Sequence, residues 1–124
     1  MKLFTLESPP ARNRDFEKLL LEAVDEALSS LGDSSKQAIY FCLEKNFAIK
    51  KHDIPNKIQE FANALENILG GGAKILEIQI MKHIYEEVGH DFKYFPDKDD
   101  LLFSEYVEAA YLHVRKFRLT YVRI

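Results

Sequence analysis

The sequence predicts an all-α fold, a compact bundle of about five helices in a single domain spanning 1–124, and three observations carry that prediction. Five stretches place apolar residues every three to four positions, the spacing of one face of a helix. Glycine and proline fall between those stretches: Pro9-Pro10, Gly32, Pro55, Gly70-Gly71-Gly72 and Gly89. The balance of 47% apolar to 30% charged residues is that of a chain able to bury a core. At 124 residues the core needs neither metal nor disulfide.

Residues 1–10 read as an extended approach, stiffened by Pro9-Pro10. The first helix is expected over 13–31, with Phe16, Leu19, Leu20, Ala23, Val24, Ala27, Leu28 and Leu31 in step. Leu21 and Leu28 widen its apolar arc past half the circumference, so the helix needs cover on more than one side. A second helix starts at Asp33-Ser34, where Ser34 and Gln37 have capping-box spacing, and runs to Phe47. Ile39, Cys42 and Leu43 share its inner face, and Phe41 points the other way. A link over 48–55 holds Asp53, suited to capping, and Pro55, suited to a first helical turn.

The third helix, 55–69, is clearly two-sided, with Ile58, Phe61, Ala62, Leu65, Ile68 and Leu69 inward. The fourth, near 72–88, is the most apolar and is placed at the centre. Phe92, Tyr94, Phe95 and Pro96 suggest an ordered aromatic loop. A long C-terminal helix near 99–120, with acids around 97–100 at its start, carries the seam Phe103, Val107, Ala110, Val114, Phe117, Tyr121 and Ile124. A strand from residue 117 onward competes with its last turns, because Thr120, Tyr121 and Val122 favour strands.

Several function classes find no support. A single cysteine, Cys42, provides neither an internal disulfide nor a thiolate zinc cluster. No leader is evident in the first ten residues and no long uncharged apolar run exists, so a cytoplasmic protein without membrane contact is expected. Glu87 and His90 make half of a carboxylate di-iron pattern, but the other half is missing and Gly89 interrupts it; no metal and no cofactor is expected. The glycines at 70–72 precede a helix without the lysine and serine of a phosphate loop, and so read as a tight turn. No serine sits in a nucleophile elbow, and no catalytic residue is assigned.

Three sets of residues are left over. Glu77 falls inside the apolar arc of the fourth helix, with Lys74 one turn back as a candidate partner. It is either a paired acid that fixes helix packing or a carboxylate of raised pKa in a small-ligand or enzyme pocket. Residues 113–124 carry Arg115, Lys116, Arg118 and Arg123 and no acid, within a chain of net charge −3. Arg115, Lys116 and Arg118 either contact phosphates of a nucleic acid or offset the negative end of their own helix. Leu112 and Leu119, seven apart and opposite the seam, form a second apolar stripe, and Phe41 is a further outward aromatic. A helix apolar on two sides needs two partners, the domain and either a second copy or another protein.

The middle of the chain also resembles a known family. The run Asp33-Ser34-Ser35-Lys36-Gln37-Ala38-Ile39-Tyr40-Phe41 is followed by Ile49-Lys50-Lys51-His52-Asp53-Ile54-Pro55. Phe61, Leu65, Ile68-Leu69-Gly70, Ala73-Lys74, Leu76-Glu77 and Ile80-Met81-Lys82 complete the pattern. Over 26–90 this is similar to a small archaeal helical domain of unknown function, the Nitrosopumilus-type output domain. The resemblance implies an archaeal, cytoplasmic, non-enzymatic interaction or signalling-output module and brings no catalytic residues. The fifth helix lies outside it.

Overall fold

A computed structural model describes the backbone of residues 9–88, 92 and 102–123, and the side chains of 15–88, 92 and 102–115. Within these residues the fold is all-α: five α-helices and one 3-10 helix, with no strand. They are α1 (Pro9–Ser29), α2 (Asp33–Phe47), the 3-10 turn Lys51–Asn56, α3 (Ile58–Leu69), α4 (Gly72–Val88) and α5 (Phe103–Arg123).

Helix α1 starts earlier than its periodicity suggests, because Pro9 and Pro10 belong to its first turn. Amide hydrogens there have no partner within the helix, so proline costs nothing and its fixed φ suits the start. Phe16, Leu20, Ala23, Val24, Ala27 and Leu28 are buried, while Leu31, beyond the helix end, is exposed.

The expected Ser34–Gln37 capping box does not form. Gly32 is the N-cap of α2, no side chain caps the helix, and Ser34 lies inside its first turn. Cys42 is half-buried rather than buried, and accepts a hydrogen bond from Asn46 Nδ2 at 3.2 Å. Ala48 closes α2 in the left-handed conformation, with φ 57°. Pro55 lies within the 3-10 turn instead of opening α3, and Asp53 caps that turn by accepting the Lys50 N–H at 3.2 Å.

Gly70 ends α3 at φ 58° and ψ −130°, a combination that strains any residue with a Cβ, and α4 follows at once. Helix α4 packs against α1, α3 and α5, with its closest match along α1, so it is the central element as expected. Ala73, Leu76, Ile80, Met81 and Ile84 form its buried face.

Helix α5 begins at Phe103, later than expected; residues 97–100 lie outside the described set. Glu105 sets the start by accepting the Leu102 N–H at 3.2 Å. The helix continues to Arg123, so the strand alternative for 117 onward is not adopted. Its inner face buries Phe103, Tyr106, Val107 and Ala110. Tyr106, absent from the expected seam, is only 1% exposed and meets the buried Phe92 ring edge-on at 5.4 Å.

Candidate functional site

Two constellations stand out, one polar and one apolar. The polar one gathers on Asp25 of α1. Its carboxylate accepts hydrogen bonds from Tyr40 Oη at 3.0 Å and from Lys36 and Lys51 Nζ at 3.3 Å each. Lys51 also lies over the Tyr40 ring, 5.1 Å from its centroid. The donors come from α2 and from the 3-10 turn, so one acid ties three elements together. Partial burial pushes the Asp25 carboxyl up, but the bonds from Tyr40, Lys36 and Lys51 outweigh it and hold the group below its ordinary range. Burial, followed by the Asp25 charge, pushes the Tyr40 hydroxyl far above its own range, which keeps it a donor.

Beside this cluster, His83 Nδ1 of α4 lies 2.6 Å from Glu26 Oε1 of α1. A shallow groove of about 980 Å³ runs past both, lined by Leu21, Asp25, Glu26, Ser29, Lys51 and His83 among others. It is open to solvent, and within its lining Lys51 is bonded to Asp25 and His83 to Glu26. The arrangement fastens helices. Asp25→Asn is expected to cost about 1 kcal/mol at neutral pH, because solvent screens a cluster a third exposed. Since the carboxyl titrates lower in the fold than in the open chain, its stabilisation is present above pH ~4 and fades as pH falls further. Urea titrations of both proteins at pH 7 and pH 3 check this, and the gap should shrink at pH 3.

Glu77 is where the sequence puts it, on the buried face of α4 and 8% exposed. The expected donor is not found. Lys74 is exposed and makes no ion pair with Glu77, and no hydrogen bond reaches the carboxylate from the described residues. Burial pushes the carboxyl above its ordinary value, the Glu66 charge on α3 adds to that, and Lys74 only partly offsets it. The four grooves along α1, α4 and α5 are lined by other residues than Glu77.

The apolar constellation is on the outer side of α5. At 100° per residue, Leu112 lies opposite Phe103, Val107 and Ala110, and it is 48% exposed. Arg115 is also exposed. Residues 116–119 are helical, but the side chains of Lys116, Arg118 and Leu119 lie outside the described set. Phe41 is 67% exposed on α2, with Lys45 Nζ 5.9 Å from its ring centroid. Helix α2 packs on α1 and α3, whereas α5 packs on α4, α1 and α3, so Phe41 and Leu112 stand on helices with no shared seam. Leu102 and Ile75 are also strongly exposed, which sequence spacing did not single out.

His113 packs its ring on Phe92, with centroids 5.2 Å apart. His90 lies outside the described residues. Among the described residues no group of three or more potential ligands could hold a metal ion, and no helix is long and apolar enough to cross a membrane. Comparison with protein-family models, curated proteins and solved structures gives no significant match.

Proposed function

We propose that this chain is a non-enzymatic interaction module that binds a protein partner through the outer face of α5. One observation carries the reading: α5 is buried along one face and presents a large apolar side chain, Leu112, at the centre of the other. Supporting it, the polar clusters of the described residues fasten helices, and the groove beside them is open to solvent. The resemblance of 26–90 to an archaeal output domain favours the same class of function, with the fifth helix, outside that resemblance, as the partner-facing part. A cytoplasmic setting is part of this proposal.

Leu112→Glu tests it without disturbing the core, since exposed positions tolerate substitution within about 0.5 kcal/mol. In native extract the wild-type chain should elute well above its 14.4 kDa, and the variant at 14.4 kDa with unchanged helicity. Wild-type protein eluting as a lone 14.4 kDa chain in fresh extract would contradict the proposal.

A further inference from the structure

We infer that the partner on this face is a second copy of the chain, with the two α5 helices crossing antiparallel about Leu112; the inference rests on the interaction reading above. Charge is ordered along the outer ridge of α5. Glu105 and Glu108 come two turns and one turn before Leu112, and Arg115 comes one turn after it. Glu105, Glu108 and Arg115 share the outer half of the helix with Leu112, well away from the buried seam of Phe103, Val107 and Ala110. Further along, the sequence to residue 123 adds cations and no acid. The ridge is therefore acidic on one side of the leucine and basic on the other.

Such a ridge is self-complementary in one orientation only. Set antiparallel about Leu112, Glu108 of each copy meets Arg115 of the other, twice by two-fold symmetry, while the leucines meet at the axis. Set parallel, glutamate faces glutamate and arginine faces arginine, which opposes association. No ion pair within the described residues occupies Glu105, Glu108 or Arg115, and Glu108 and Arg115 stand seven positions apart, too far to pair within one helix. The α5 helix, 21 residues long, spans about 30 Å, enough to hold the whole pattern on one straight ridge.

Light scattering of the purified full chain tests this, with charge reversal as the discriminating step. Wild type should weigh twice 14.4 kDa at high micromolar concentration. Glu108→Lys should weaken the dimer at least tenfold, and Arg115→Glu should do the same. The double reversal Glu108→Lys with Arg115→Glu should regain most of the wild-type affinity, because the pair is restored with its signs exchanged. Circular dichroism confirms that each variant folds. A dimer insensitive to the single reversals, or a double reversal no better than either single, overturns the antiparallel register. A monomeric wild type overturns self-association; if Leu112→Glu still releases a larger species in extract, the interaction reading survives with a different protein as partner.

Discussion

Tyr106→Ala is expected to lower the free energy of unfolding by about 3–5 kcal/mol, the range for deleting a large buried aromatic. Tyr106 is 1% exposed at the place where α5 meets the buried Phe92 ring. Its removal deletes an edge-on aromatic contact and leaves a void between elements that cannot close without moving α5. Against a total of about 5–15 kcal/mol for a domain, that loss takes much of the stability. Urea unfolding followed by circular dichroism measures it. Leu112→Ala is the control, and should change stability by less than about 0.5 kcal/mol. A loss below about 1 kcal/mol for Tyr106→Ala would mean that α5 is not docked as described.

Glu77→Gln is expected to act in the opposite direction and to stabilise the fold by about 1–2 kcal/mol at neutral pH. The carboxylate is buried, receives no hydrogen bond from the described residues, and feels Glu66 across the α3–α4 contact. Among the described residues, Lys74 supplies the opposing charge that acts on it, and it is exposed. The sign follows from linkage. The folded chain holds this proton to higher pH than the unfolded chain does, so wild-type stability falls as pH rises from ~4 through the folded value. The glutamine variant lacks that loss. Its advantage should be small at pH 4 and full at pH 7, the reverse of the Asp25→Asn trend. Equal stability of Glu77→Gln and wild type at both pH values would show that the carboxylate is compensated.

Much of the fold is legible in local spacing because each helix carries its own punctuation. Helix α4 is bounded as expected since Gly70-Gly71-Gly72 fixes the turn before it, and Phe61, Ala62 and Leu65 face inward as their period requires. Glu77 is legible for the same reason, as a charge inside an apolar arc. Tyr106 is harder to see: it lies three residues after Phe103 and four before Ala110, on the same face, but the seam's alternating steps of four and three pass from Phe103 to Val107 and skip it. The Asp25 cluster escapes local spacing altogether. Its donors stand 11, 15 and 26 residues away, and they meet only after α2 and the 3-10 turn fold back on α1. The one sequence hint is that Asp25 lies four after Leu21 and three before Leu28, beside the residues that widen the buried arc. The Ser34 cap fails because Gly32 already caps α2, so residue type and spacing suit a position the chain does not use.

The contrast between the two faces of α5 is the basis of the functional account. Its inner face is committed to the bundle through Phe103, Tyr106, Val107 and Ala110, and its outer face is centred on a half-exposed leucine between acids and a cation. Placing a benzophenone amino acid at position 112 in living cells, with Asn63 on the exposed side of α3 as the control position, tests that contrast most directly. Irradiation should yield a covalent adduct from position 112, of twice the chain mass for a self-partner, and none from position 63. No adduct from position 112, or equal adducts from both positions, would contradict the account.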